Sequence, residues 1–255
     1  MPASLPFESY LDALPMATAR LHDESVKAGL DASVPTCPGW KVRALLAHQG
    51  MVHRWATGYL RGERHLDTEA MKADGLQQSD PGAWVVAGSK ALETVLRASA
   101  DDLNVRFFLP DAGRPRDAWA RRQAHETAIH AVDALAAGLG GYPEAHAADI
   151  DAQFASDGID ELLCGFLTRP GEQMRTEAPV TVLVHASDTD RAWTVRLSDQ
   201  PAVATPGRPD SEPDTTWTGT AAQLYLGLWN RGLEIRQDGF DALQVWRRNM
   251  TVGWS

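Results

Sequence analysis

Apolar residues recur at helical intervals through the first half of the chain. Phe7, Tyr10, Leu11, Leu14, Ala17 and Leu21 share one face of a helix predicted from about Phe7 to Leu30. The stretch "VPTCPGW" interrupts that periodicity with two prolines and a glycine. A second helix is predicted from about Trp40 to Leu60. The polar stretch 61–79 reads as a loop. A third helix fits Pro81 to about Ala100, with Pro81 in its first turn, and "NVRFFLPDAGRPR" reads as irregular or briefly extended. A fourth helix runs from about Arg116 to Leu139 and stops at Gly140-Gly141. Four long helices with apolar stripes predict a bundle.

After about residue 145 the pattern changes. Asp149–Thr168 reads as one more helix. "VTVLVHA" (180–186) and "AWTVRLS" (192–198) are rich in β-branched residues, and Trp193, Val195 and Leu197 alternate in the second. The "SDTD" between them suits a hairpin turn. The proline-rich run "QPAVATPGRPDSEPDTT" reads as loop plus an edge strand. "TAAQLYLGLWNRGL" (220–233) reads as a helix and "DALQVWRRN" as a last short one. The expected organisation is a helical domain over 1–145 and a small α+β domain over 146–255.

Composition narrows the function. Apolar residues make up 44% of 255, enough for two modest cores. No apolar run approaches the roughly 18 residues that span a bilayer, and the N-terminus lacks a signal-peptide pattern. The expected location is the cytoplasm, with no membrane partner. Two cysteines, Cys37 and Cys164, are too few for a disulfide framework or a thiolate metal cage. A net charge of −10 argues against nucleic acid as the main partner. It does not argue against a small anionic substrate held by local arginines.

The segment "RRQAHETAIHAVDA", from Arg121 to Ala134, carries the most chemistry. Its two histidines are five apart, so the zincin motif, which needs four, fails on spacing. Each helical residue turns about 100°, so Glu126 and His130 project together while His125 points about 100° away from Glu126. A carboxylate with a histidine on one helix face is a device by which bundles build metal sites. A second helix must complete it, and "ALLAHQGMVHRW" offers His48 and His53. His48 lies within the apolar stripe beside Ala44, Leu45, Met51, Val52, Trp55 and Tyr59. His53 is rotated by about 140°, beside Arg43 and Arg54 on the side expected to be wetter. His48 is therefore chosen. Two histidines and one carboxylate leave a coordination position open for zinc. Taken singly, His48 also fits a buried hydrogen-bonded histidine, and Glu126–His130 a helix-surface pair.

The other candidates carry less. Cys37 is read as a packing or turn residue. Asp133, one turn beyond His130, reads first as a solvated or salt-bridged aspartate and second as a group orienting a ligand. His22 points inward from the first helix without a partner pattern. His65, His146 and His185 fall in a loop, a linker and a strand. The nine tryptophans are scattered as core residues would be.

"VPTCPGWKVRALLAHQGMVHRWA" followed by "WARRQAHETAIHAVDA" resembles the mycothiol-dependent maleylpyruvate isomerase family. The resemblance implies a DinB-like four-helix bundle followed by a small α+β, SCP2-like domain. It implies a divalent metal, typically zinc, on His48, Glu126 and His130, and mycothiol as thiol cosubstrate. It points to Arg231, in "LWNRGL", as a residue for an anionic carboxylate, although Asn230 stands where the family more often has glycine. The implied chemistry is thiolate addition to an electrophilic small molecule, giving S-transfer or cis–trans isomerisation, in a monomer or homodimer. Two readings from the ligand set stay open beside it: a two-histidine, one-carboxylate iron enzyme, and a non-catalytic, metal-stabilised binding module.

Overall fold

The structure is a computed structural model and describes residues 4–109, 111–169 and 174–250. Its contacts divide the chain into two compact units. One contains Pro2–Phe108 and Ala112–Pro143, the other Leu109–Asp111 and Glu144–Ser255. No helix among the described residues is long and apolar enough to cross a membrane.

The first unit is built on four long helices, α1 (Phe7–Ala28), α2 (Val42–Leu60), α4 (Pro81–Ala98) and α5 (Pro115–Leu139), with a shorter α3 (Thr68–Gln77). Helices α1 and α2 each pack against both α4 and α5, closing a ring of four. Leu21, Val34, Leu45, Leu46, Val85 and Ala134 form part of its core. The ends follow local chemistry. Pro115 occupies the first turn of α5, and Gly140 stops it in a left-handed conformation (φ 69°), its N–H donating to the Ala136 carbonyl.

Helix α3 corrects the reading of 61–79 as a loop. It carries almost no apolar periodicity, so the pattern was silent. The Asp67 side chain caps it by accepting from the Ala70 N–H. Arg43 of α2 closes the other end, donating to the Gln78 carbonyl at 2.9 Å. At Gly75 it packs so tightly that a Cβ would lie 2.7 Å from the Trp84 ring and 3.0 Å from Ala47 Cα. Gly50 of α2 meets the same indole, and the Arg54 guanidinium lies over it at 3.6 Å.

The second unit is α+β. Its five-stranded sheet has the order β3-β2-β1-β4-β5, with strands β1 (Val180–Ala186), β2 (Arg191–Leu197), β3 (Val203–Pro206), β4 (Thr215–Gly219) and β5 (Arg236–Gly239). β1 and β2 form the expected antiparallel hairpin, Val184 opposite Trp193, while β1 and β4 run parallel. β3 is the edge strand expected from the proline-rich run. β5, "RQDG", was missed because it is short and polar. The helix expected over 149–168 is α7 (Ala152–Glu161) followed by a π-helical turn (Leu162–Phe166), and a four-residue α6 (Ala145–Ala148) precedes it. Helix α8 (Ala221–Leu228) ends five residues earlier than expected, because Asn230 adopts φ 58°. α9 (Ala242–Asn249) lies over the "DALQVWRRN" stretch.

Candidate metal centre

Helix α5 is polar in composition yet buried around most of its circumference. Arg121, Arg122, Gln123, His125, Glu126, Thr127, His130 and Asp133 are all buried. Charged groups removed from water persist only when paired or bound, so their arrangement is where chemistry is to be sought.

Glu126 and His130 share one face of α5, and His48 meets them from α2. His130 Nε2 lies 3.3 Å and His48 Nε2 3.5 Å from the same oxygen, Glu126 Oε1. The three candidate ligand atoms lie within 4.8 Å of one another. The other oxygen, Oε2, faces the Arg122 guanidinium at 3.3 Å. These contacts are longer than the ~2.8 Å of a good charge-assisted hydrogen bond. They match instead the spacing of donors around a small cation. Atoms about 2.0–2.2 Å from a tetrahedral centre stand about 3.3–3.6 Å apart. The donor set therefore fits a divalent metal of zinc's size and borderline softness.

His130 is held from behind as well. Its Nδ1 lies 2.8 Å from Asp133 Oδ2, leaving Nε2 to face Glu126 and His48. Asp133, fully buried, also accepts from Thr36 Oγ1 at 2.5 Å and from the Cys37 thiol at 3.2 Å. Asp133 is thus paired with His130 rather than solvated, which is the salt-bridged reading, and the pairing also fixes the angle of the His130 ring. Cys37 sits in the turn that begins the "TCPGW" stretch, and its partner is this carboxylate. Trp40, which precedes α2, covers the two histidines. Its ring stacks on His130 at 6.3 Å and 19° and meets His48 edge-on at 5.0 Å. The Thr36 and Cys37 partners of Asp133 and the Trp40 indole leave no signal in the sequence pattern. "VPTCPGW" signalled only a break, and partners almost a hundred residues away leave no periodic trace.

The charges of the cluster support one another. Burial alone would raise the Glu126 pKa, but the close approach of the His130 and His48 rings, with the His130 and Arg122 charges, holds it well below the ordinary carboxylate range. Burial alone would lower His130, but its hydrogen bond to Asp133 and the nearness of Glu126 lift it to about 9. Burial lowers His48; the nearness of Glu126 opposes this, and the charges of His130 and Lys72 add to it.

His53 corrects the sequence reading. It is fully buried rather than on a wet face, because α2 is packed against α3, α4 and α5. Its Nε2 lies 2.8 Å from Gln49 Nε2 and 2.9 Å from Thr127 Oγ1, in a polar knot apart from the candidate ligands. Burial pushes its pKa down from 6.5 to about 3. Below pH 6.5 the unfolded chain thus binds a proton that the folded chain refuses, and stability falls as pH drops toward 3. This one side chain contributes a slope of about 1.4 kcal/mol per pH unit. Urea unfolding of the wild type and His53→Gln should show that difference in slope across the mildly acidic range. Parallel pH profiles would contradict it.

The remaining candidates stand elsewhere. His125 is buried edge-on to Tyr10 and, among the described residues, belongs to none of the groups that could hold a cation. His22 pairs with Asp23, His146 with Glu144 and His185 with Asp190. His65 is exposed. Cys164 lies half-buried in the second unit. Arg231, also in that unit, donates to the Trp229 carbonyl at 2.8 Å.

Comparison with known proteins agrees with both units. Residues 11–135 match the family model described as mycothiol maleylpyruvate isomerase N-terminal domain, and residues 153–233 match the MDMPI C-terminal domain. A search of curated protein sequences returns no match. Among solved structures, a mycothiol-dependent maleylpyruvate isomerase aligns with a TM-score of 0.61 at 16% identity, covering 91% of this chain and 93% of that one. A histidine-to-alanine mutant of a mycothiol-dependent maleylpyruvate isomerase aligns with a TM-score of 0.61 at 15% identity over the same shares. At that identity the structures speak for the fold, but the two domain models, in order and together spanning most of the sequence, place the chain in the mycothiol maleylpyruvate isomerase family.

Proposed function

We propose that this chain is a metal- and mycothiol-dependent enzyme of the maleylpyruvate isomerase type. In this reading a thiolate adds to an electrophilic small molecule. The observation that carries it is the spacing of His48, Glu126 and His130, buried together on two helices at distances that suit a cation better than hydrogen bonds.

His48 Nε2, Glu126 Oε1 and His130 Nε2 would hold the ion, with zinc the choice for two imidazoles and one carboxylate. A divalent cation there supplies a Lewis acid that favours the thiolate form of a thiol over its protonated form. The chain's own groups do the rest. Glu126 brings one negative charge, shared between the imidazoles and Arg122. Asp133 fixes the ring of His130. Trp40 closes one side of the site with an apolar face, which keeps water from a conjugated substrate. Arg231 is retained, from the resemblance, as a residue for an anionic group.

For a cis-alkene conjugated to a carbonyl, the balance is simple. The thiolate sulfur forms a C–S bond, and the π electrons move to the carbonyl oxygen. The former double bond rotates. The electrons then return, the C–S bond breaks and the trans alkene is released with the thiolate regenerated. For a substrate bearing a leaving group or an epoxide, the C–S bond forms as the leaving group departs with its electron pair, or as the epoxide C–O bond opens to an alkoxide that takes up a proton, and the product is a thioether. No protein cysteine is consumed in either case.

The test is metal analysis of the purified protein, followed by turnover of maleylpyruvate with and without mycothiol. Zinc together with thiol-dependent isomerisation, abolished by chelation, is the expected result. Iron with oxygen uptake, or turnover that survives complete chelation, would overturn the proposal. A tightly held metal with no thiol effect would assign the chain to a binding role instead.

A further inference from the structure

Helix α3 places a cation over Trp40, the indole that covers the candidate ligands His48 and His130. Its close seat at Gly75 fixes how it is rotated, and Lys72, three residues earlier, lies on the same face. The Lys72 ε-ammonium is over the Trp40 ring, 5.3 Å from its centroid. That indole is the one that packs against His48 and His130. Lys72 is half-buried, and among the described residues no carboxylate lies within ion-pair distance of it.

The cation is not needed to balance the site. Glu126 already faces two imidazoles and Arg122, and Asp133 takes hydrogen bonds from His130, Thr36 and Cys37. A lysine left without an acidic partner is notable in a chain of net charge −10. An ammonium held over an aromatic face keeps its charge and its donors, because the ring attracts the cation without accepting its protons as a carboxylate would. It therefore stays available to an incoming anion.

We propose that Lys72 binds a carboxylate of the electrophilic substrate, with Trp40 holding the ammonium at the metal centre. This rests on the function proposed above. The side chain acts as a specificity determinant. It would fix one end of the substrate while the thiolate approaches the alkene.

The test uses the zinc-loaded full chain and the variants Lys72→Met and Lys72→Arg. With maleylpyruvate as electrophile, Lys72→Met should raise KM about tenfold, the lower end for loss of a charge-assisted hydrogen bond. KM for mycothiol, zinc content and the rate with the neutral electrophile N-ethylmaleimide should stay within about twofold of wild type. Lys72→Arg should recover most of the loss. An equal effect on charged and neutral electrophiles would make Lys72 a mere support of Trp40 and overturn the proposal, and a shift in KM for mycothiol instead would move the carboxylate to the thiol. A second arm titrates maleate into wild type and Lys72→Met by calorimetry. Weaker binding to the variant supports the proposal even if wild type fails to turn over maleylpyruvate, in which case only the proposed function falls. Equal binding, or none to either protein, overturns it.

Discussion

Replacing His130 with alanine is expected to lower zinc affinity by more than about a hundredfold while leaving the helices in place, and His48→Ala should do the same. The figure sits above the roughly 10–100-fold range that follows from loss of a supporting residue, because the proposed function makes this nitrogen a donor itself. His130 meets the cluster through Nε2 toward Glu126 and through Nδ1 toward Asp133. His130→Ala should therefore also release Asp133 from one of its partners and cost more stability. His53→Ala is the informative control. It lies on the same helix as His48 and is more deeply buried, but its partners are Gln49 and Thr127. It should lose about 1–3 kcal/mol of stability through the unsatisfied groups left behind, with zinc retained. Competition with a chromogenic chelator and circular dichroism on the same samples separate the two effects. Equal metal loss in all three variants would remove the case for His48 and His130 as ligands.

The contrast between His48 and His53 shows what could be read from the sequence and what could not. His48 falls in an apolar stripe, Glu126 and His130 are one turn apart, and bringing the two helices together was enough to suggest a site. The same helical-wheel argument misplaced His53. A wheel divides a helix into a buried and a wet side, but α2 is enclosed by three other helices and has little wet side to assign. Helix α5 is an extreme case, since most of its polar side chains are inside. The periodic signal fails there because burial is set by neighbours, and polar side chains persist when each finds a partner.

The fold was legible to the same extent. Long helices with apolar stripes and the β1–β2 hairpin announced themselves through periodicity. Helix α3 did not, since it is kept by a cap at Asp67, a glycine seat at Gly75 and a clasp from Arg43. The Asp67 cap was the one local signal for it. Asn230 ended α8 by adopting a left-handed conformation that the apolar pattern of "LYLGLW" does not report. These misses bear on the proposals above, because Lys72 rides on α3, and Thr36, Cys37 and Trp40 lie in the turn that the periodicity marks only as a break.

That turn leads to the second large effect, at Asp133. Asp133→Ala should weaken zinc binding by about 10–100-fold, although the carboxylate is not among the three candidate ligands. It accepts from His130 Nδ1 at 2.8 Å and so selects the tautomer and ring angle that present Nε2. It is held in turn by Thr36 and by the Cys37 thiol, residues 97 and 96 positions away. Asp133→Asn separates orientation from charge. An asparagine oxygen can still accept from Nδ1, so the ring stays oriented, while the negative charge that strengthens His130 as a donor is gone. Its loss of affinity should fall between wild type and Asp133→Ala. Cobalt substitution supplies a readout that a general loss of stability would not move. The visible spectrum of the cobalt form should shift in Asp133→Ala and stay close to wild type in Asp133→Asn. An unchanged spectrum and affinity in Asp133→Ala would reduce the carboxylate to a packing role, and the rigidity of His130 would then have to come from Trp40 stacked upon it.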